Sequence, residues 1–147
     1  MVLHEYCMPI EELARTEVVT VSTDTSVPEI ASKLENEGVG SVVVTDKREP
    51  VGIITDRDLA LRVLSDERDT AGLKAEDIMS DELCTAHPDD GFAEAAQMMS
   101  QNAVRRLPVC DDDGELQGII TADDMTELLA DEQQQLAEVI RAQRPSY

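Results

Sequence analysis

Two short stretches of this sequence repeat side chains that could bind a ligand. GIIT occurs at residues 52–55 and again at 118–121, and an aspartate follows each threonine three positions later, as Asp58 and Asp124. An ionised carboxylate only accepts hydrogen bonds, and it can accept one from each of two neighbouring hydroxyl groups. The same spacing is also that of a helix capping box, which needs no ligand. The two interpretations are compatible, and both place the motif where a strand gives way to a helix.

The elements that must position these residues occur twice along the chain. Placing Glu12 on Asp77 also places Thr20 on Thr85, and one extra residue in DDDGELQ then brings the two GIIT segments together. Runs of β-branched residues, helical spacing and turn residues predict strand, helix, strand, strand, helix in each half. The predicted elements are 18–22, 26–38, 41–46, a turn at 47–50, 51–55 and 56–64, then 83–86, 92–102, 106–111, 116–121 and 122–130.

Each half is too small to bury a core alone, so we expect the halves to pack sheet to sheet and share a core. The predicted division is a first domain at 8–66, a linker at 67–76, a second domain at 77–130, and a C-terminal helix and tail at 131–147. In that last segment Leu136, Val139 and Ile140 share one side of a helix. This helix is expected to continue the preceding one and to pack on the module or on a partner.

The duplicated pattern resembles a tandem pair of CBS domains, the family named for cystathionine β-synthase. The resemblance rests on the two GIIT motifs with their aspartates, on RRLPVCD at 105–111 and on the order of the elements. It implies an α+β fold of two β-α-β-β-α repeats, related by a pseudo-twofold axis, with packed small sheets. It also implies a regulatory module, not an enzyme, that binds AMP, ADP, ATP or S-adenosylmethionine in clefts between the repeats. Such a module requires no cofactor and forms a homodimer, and it regulates a partner protein that the sequence does not identify. The alternative is a structural or oligomerisation module with no small-molecule ligand.

In that family the threonine and aspartate of the motif contact the phosphate and the ribose. The matching residues of this chain are Thr55, Asp58, Thr121 and Asp124. The chemistry agrees, because a carboxylate suits the paired ribose hydroxyls and the amides of a helix N-terminus suit a phosphate. By the same resemblance, the ends of the first strands are candidates for the adenine pocket, with plain strand packing as the alternative: Thr20, Val21, Thr85 and Ala86.

The arginines near these motifs differ between the halves. Arg57 lies in the first motif where the second has Asp123, and Arg105 and Arg106 belong to the second half alone. Guanidinium groups suit phosphate, so we expect the two clefts to differ in their affinity for phosphate. Alternatively, these arginines are solvated or paired with the abundant acids.

Other constellations predict neither catalysis nor a metal site. Cys84 and His87 form a C-x-x-H pair, but zinc needs four ligands, and His4 and Cys7 in the N-terminal segment are the other candidates. His87 stands before a proline and away from any nucleophile motif. Three cysteines, no signal peptide in MVLHEYCMPI and no apolar stretch of membrane length predict a cytoplasmic protein with reduced thiols.

The net charge bears on partners and on the environment. Thirty-two acidic residues against twelve lysines and arginines give −20, and the acids are spread among apolar positions. Such a surface repels the phosphates of nucleic acid, which is therefore not an expected partner. Salt screens such an acidic surface, so we expect the salty cytoplasm of a halophilic archaeon, with an ordinary acidic protein as the alternative.

The salt interpretation predicts that the melting temperature rises between low salt and about 2 M KCl, because the Debye length is about 3 Å at 1 M and repulsion between acids is then screened. Thermal unfolding followed by circular dichroism at increasing KCl measures this. A flat or falling curve would leave an ordinary acidic protein.

Overall fold

The computed structural model describes residues 8–145, which form two α+β halves. The strands are β1 (Thr20–Ser22), β2 (Ser41–Asp46), β3 (Glu49–Thr55), β4 (Arg106–Cys110) and β5 (Leu116–Thr121). The helices are α1 (Val27–Glu37), α2 (Asp56–Leu59), α3 (Ala75–Ile78), α4 (Phe92–Asn102) and α5 (Ala122–Ala142). A 3₁₀ turn spans Ile10–Glu12, and α2 continues as a π-helical turn over Ala60–Leu64.

The sheet of the first half has three strands. β1 runs parallel to β2, and β2 runs antiparallel to β3. The apolar run of β2 is buried at Val42, Val43 and Val44, which is the pattern of a central strand covered on both faces. Lys47 and Arg48 both have positive φ, as in the two-residue turns that suit the twist of a hairpin. The turn is therefore shorter than the predicted KREP.

The sheet of the second half has two strands, β4 and β5, and this corrects the prediction of a strand at 83–86. Ala86 makes a single parallel bridge to Val109 instead. In the first half the amide of Val43 donates to the carbonyl of Val19 at 3.0 Å. The equivalent of Val43 is Pro108, which has no N–H to donate, so the ladder to the first strand cannot extend.

Helix α1 begins and ends as its sequence predicts. Ser26 caps it, since its Oγ accepts a hydrogen bond from the amide of Glu29 at 3.3 Å. Gly38 ends it in the left-handed conformation, with φ 64. In the second half Ala103 ends α4 in that same conformation, with φ 52, although a side chain there costs free energy that glycine avoids.

The hydrophobic core consists of two clusters, which corrects the expectation of one shared core. Alternate residues of a strand face opposite sides, so Val42 and Val44 point into the first cluster, between the sheet and α1. Val43 points to the other side and lines a cleft together with Ile119 of the second sheet. Leu107, Val109 and Ile120 build the second cluster against α4 in the same way as the first.

Each cluster is completed by residues from the other half. Ile10, which precedes β1, is buried in the second cluster. Ala75 and Ile78 of α3 are buried in the first cluster, although α3 lies at the start of the second half. The predicted linker at 67–76 therefore ends inside a helix that packs on the first domain.

Backbone hydrogen bonds fix this exchange. Arg15 and Ile119 of β5 form a pair, with both N–H···O distances at 2.9 Å. Ser80 and Ile53 of β3 form the equivalent pair, at 3.0 and 3.2 Å. The segment that precedes β1 thus adds to the sheet of the second half, and the segment that follows α3 adds to the sheet of the first half.

Helix α5 is one continuous helix from Ala122 to Ala142, which confirms that the final segment continues the preceding helix. Met125 near its start is buried in the second cluster, whereas the apolar residues of its C-terminal part do not pack on the described part of the module. Leu136, Val139 and Ile140 are each more than half exposed.

The segments exchanged between the halves pack against Gly52 and Gly118. They predict that the same substitution lowers the free energy of unfolding by different amounts at these two positions. A methyl group at Gly118 would lie 2.7 Å from the carbonyl oxygen of Arg15, whereas one at Gly52 would lie 2.5 Å from Sδ of Met79. The Met79 side chain can rotate away, but the paired backbone cannot. We expect Gly118→Ala to destabilise the fold by about 1–3 kcal/mol and Gly52→Ala by less. Urea unfolding at fixed KCl measures both, and equal losses would contradict the backbone contact.

Candidate functional site

The first repeated motif forms a capping box at the start of α2. Thr55 Oγ1 accepts a hydrogen bond from the amide of Asp58 at 3.1 Å, and Asp58 Oδ2 accepts one from the amide of Thr55 at 2.8 Å. The second carboxylate oxygen, Oδ1, lies 3.7 Å from Nε of Arg62. That distance makes an ion pair without a hydrogen bond, so Oδ1 of Asp58 can accept from a ligand hydroxyl.

The second motif forms the same box at the start of α5. Thr121 Oγ1 accepts from the amide of Asp124 at 3.1 Å, and Asp124 Oδ2 accepts from the amide of Thr121 at 3.3 Å. Here Oδ1 is occupied, because Arg15 donates to it from Nη2 at 2.7 Å and from Nε at 3.2 Å. A ligand hydroxyl can reach this oxygen only if Arg15 moves.

The two boxes confirm the capping interpretation of the repeated pattern. They also leave the binding interpretation open, since each box uses the Oδ2 atom of its aspartate and leaves Oδ1 outside the cap. One side chain can therefore both start a helix and accept a hydrogen bond from a ligand.

The ion pair between Arg15 and Asp124 sets the charge of the second site. Burial raises the pKa of Asp124, but the hydrogen bonds from Arg15 and Thr121 outweigh burial and hold that pKa below its usual range. The carboxylate is therefore ionised at neutral pH. Arg15 itself is 66% exposed, so its guanidinium lies between solvent and the buried acid.

Sequence reasoning missed Arg15 as a site residue. Arg15 precedes β1 of the first half, whereas Asp124 belongs to the second, and only the exchange of segments brings them together. The repeat alignment does carry one signal, because it places Arg15 on Ser80 and so marks a difference between the halves. It does not show which carboxylate either residue faces.

A cleft of about 250 Å³ lies beside the second motif, between the two halves. Thr121 and Asp123 line it from the motif, and Arg15 and Arg106 add two guanidinium groups. Its apolar lining consists of Val43 of β2 and Ile119 of β5, together with Val18, Val19 and Val39 from the loops of the first half. It shares Arg15 and three of these valines with a larger opening of about 630 Å³, which Thr20 and Lys33 also line.

The predicted arginines have different surroundings. Arg106 lines the cleft and lies close to the first half, since a methyl group at Gly40 would be 3.4 Å from its Nη2 atom. Arg105 pairs with Asp123 at 2.9 Å, and both side chains are about three-quarters exposed, so the pair contributes little to stability. Arg57 is exposed on the first turn of α2.

The four adenine candidates divide by burial. Val21 and Ala86 are buried in the first and second clusters, where the packing alternative places them. Their side chains are therefore occupied, and the backbone of Ala86 is also hydrogen-bonded, to the carbonyl of Pro108 at 2.9 Å and from the amide of Cys110 at 2.8 Å. Thr20 is half-buried beside Lys33, whose Nζ donates to the Thr20 carbonyl at 2.8 Å, and Thr85 is exposed.

The cysteine and histidine of the C-x-x-H pair have other surroundings. Cys84 packs against the second cluster, and His87 Nε2 lies 2.8 Å from Oδ1 of Asp112, a contact that raises the pKa of His87. His4 and Cys7 lie outside the described residues. Within residues 8–145, no group of three or more His, Cys, Asp or Glu side chains is arranged to hold a metal ion. No helix in that range has the length and apolar character needed to cross a bilayer.

Known proteins share this sequence pattern and this fold. Protein MK0525 of Methanopyrus kandleri is 42% identical over 120 residues, which are 81% of this chain but 61% of that protein, so this chain spans less than two thirds of it. The CBS domain-containing protein YhcV of Bacillus subtilis is 34% identical over 79% of this chain and 81% of YhcV. The solved CBS domain pair of protein MJ0100, in complex with 5′-methylthioadenosine and S-adenosyl-L-methionine, has a TM-score of 0.77 at 25% identity, over 86% of this chain and 98% of that one.

The family model of the CBS domain matches the chain twice. The matched residues are 10–65 and 75–131, so the two copies together take up most of the sequence. They coincide with the two α+β halves and with the repeated motifs. The chain therefore belongs to the CBS domain family and has the fold of a tandem CBS pair.

Proposed function

We propose that the chain is a regulatory module that binds adenosine-containing ligands in clefts between its two halves and has no catalytic activity of its own. The observation that carries this proposal is the pair of capping boxes. Each uses one oxygen of its aspartate and leaves the other outside the cap, at equivalent places in the two halves. Two adjacent ribose hydroxyls are suitable donors for such a carboxylate.

The solved relative supports the ligand class. The CBS domain pair of MJ0100 is in complex with 5′-methylthioadenosine and S-adenosyl-L-methionine, which share an adenosine unit. Between the halves of the present chain, the apolar lining of the cleft suits the faces of an adenine ring, and Thr121 beside it belongs to the motif that carries Asp124. We therefore assign adenosine as the common part of the ligand, whether it is AMP, ADP, ATP or S-adenosylmethionine.

The residues take distinct parts in this proposal. Asp58 and Asp124 accept from ribose hydroxyls, and Thr55 and Thr121 lie near the 5′ group. The remaining proposed contacts are the adenine candidates and the cations for phosphate, namely Thr20, Val21, Thr85, Ala86, Arg57, Arg105 and Arg106.

One observation favours a second candidate, a structural module with no small-molecule ligand. Arg15 fills the ligand position at Asp124 without any ligand being needed. This observation applies to the second motif alone. In the first motif, Oδ1 of Asp58 accepts no equivalent hydrogen bond from Arg62. The two candidates therefore differ most sharply in what they predict for ligand binding at Asp58, the proposed site that we call the first cleft.

We further propose that the module is a homodimer in a salt-rich cytoplasm. Large apolar side chains are exposed on α5 and on the corresponding π-helical turn of the first half, at Leu61, Leu64, Leu129, Leu136, Val139 and Ile140. Because the two halves repeat one architecture, a second copy related by a twofold axis would cover both patches with matching surfaces. Salt would screen the repulsion between two chains that each carry a net charge of −20.

Substitution of the two aspartates tests the ribose assignment. Asp58→Asn and Asp124→Asn keep an oxygen for the cap but lose the charge, so each should weaken one site by about 1.5–3 kcal/mol, roughly ten- to a hundredfold. Calorimetric titration with adenosine, AMP, ATP and S-adenosylmethionine in molar KCl measures this, with Asp66→Asn as an exposed, charge-matched control. If the double variant binds these ligands like the unchanged chain, the ribose assignment is wrong.

Substitution on α5 tests the dimer. Leu136→Ser with Ile140→Ser removes apolar surface from the exposed stripe, so sedimentation should shift from dimer to monomer in molar KCl. Gln134→Ser, on another face of the same helix, should leave the dimer intact. A monomeric unchanged chain, or a dimeric double variant, would contradict the assignment.

A further inference from the structure

One backbone position carries different residues in the two halves and faces both sites. Arg15 pairs with Ile119, two residues before Thr121 of the second motif. Ser80 pairs with Ile53, two residues before Thr55 of the first motif. Both pairs make two backbone hydrogen bonds, so residues 15 and 80 hold equivalent places beside the two aspartates.

The side chains at these two places differ in reach and charge. The Arg15 guanidinium makes two hydrogen bonds to Asp124 Oδ1, the oxygen outside the cap. Serine has one heavy atom beyond Cβ and no charge, so Ser80 cannot supply a guanidinium to Asp58. Within residues 8–145, Oδ1 of Asp58 has only the longer contact to Arg62, whose Nη1 atom donates to the carbonyl of Ile78 at 2.8 Å.

We propose that Arg15 is a specificity residue that closes the second cleft to neutral adenosine and opens it to phosphorylated adenosine ligands. This inference rests on the proposed function. A ribose that binds Asp124 must displace two hydrogen bonds from Arg15. A phosphate on the same ligand gives the released guanidinium a bidentate partner, whereas a neutral nucleoside gives it none.

The other charged groups that line the cleft are consistent with Arg15 leaving Asp124 to bind a phosphate. Arg106 lines the same cleft and adds a second cation for phosphate. Glu17 and Asp123 also line it and would repel a phosphate that met no cation. Lys33 and Glu37 line the adjoining opening and bring no net charge between them. Phosphate binding here therefore depends on Arg15 and Arg106, and Arg15 is the one that a ribose must also displace.

In the first cleft the same reasoning gives the opposite selectivity. Asp58 can accept a ribose hydroxyl without breaking a hydrogen bond to a cation, so neutral adenosine binds there without that cost. The two clefts then bind different classes of ligand. The difference comes from one position, residue 15 or residue 80, in the segment that each half adds to the sheet of the other.

Exchanging residues 15 and 80 between the clefts tests the inference. Binding to each cleft is measured separately. The second cleft is measured in a chain with Asp58→Asn, which weakens the first, and the first cleft in a chain with Asp124→Asn, which weakens the second. Adenosine and AMP are titrated by calorimetry in molar KCl, and the ratio of the two affinities is the readout. Arg15→Ser should lower the preference of the second cleft for AMP by about tenfold or more, mainly because adenosine binds more tightly. Ser80→Arg should raise the preference of the first cleft for AMP by a similar factor.

Two controls keep the result interpretable. Serine is the residue that the first cleft already accommodates at this position, and urea unfolding of each variant confirms that it folds. Arg15→Lys keeps the positive charge but loses the two-pronged guanidinium. Its ratio of AMP to adenosine affinity should therefore lie between those of the arginine and serine chains.

The outcomes separate two failures. If adenosine and AMP bind but their ratio is independent of residues 15 and 80, this inference is overturned and the proposed function stands. If neither ligand binds any chain, with Arg15→Ser included, the proposed function is overturned and this inference with it.

Discussion

Two pairs of backbone hydrogen bonds attach a segment of each half to the sheet of the other, and the arrangement of both sites depends on them. The pairs join Arg15 to Ile119 and Ser80 to Ile53, so each half adds a segment to the sheet of the other. Gly118 permits the close approach of the Arg15 backbone beside β5, and Gly52 leaves room beside β3 for the side chain of Met79, which precedes Ser80. The repeated motif therefore has a structural reason for its glycine as well as a chemical reason for its aspartate.

The capping boxes join fold and function in the same side chains. A helix start needs one oxygen of each aspartate, and the other oxygen stays available for a donor from outside the helix. In the second half that donor is Arg15, which arrives through the exchanged segment. The arrangement of the halves thus decides which polar group meets each carboxylate.

Much of this could be predicted from the sequence, because repeats, apolar runs and caps are local signals. Helix α4 lies at its predicted bounds, 92–102, and α1 lies within the range predicted for it, 26–38. The strand at 83–86 was predicted by analogy between the halves, and it fails because Pro108 lacks one donor. Helix α3 was missed because four residues are too short for periodicity to detect. Arg15 was missed because its partner lies in the other half, and no local pattern shows a contact across the exchange.

The exchanged segments also determine when the protein can fold during its synthesis. The first cluster needs Ala75 and Ile78, so it is incomplete until α3 has left the ribosome. Ile10 and Arg15 emerge before nearly all of the domain, but Asp124 lies 109 residues after Arg15. Through most of translation this early segment has no partner, and its apolar side chains are available for wrong contacts or for chaperones. The first half therefore completes its core first, and the segment that carries Ile10 and Arg15 is placed only after β5 and α5 have been synthesised.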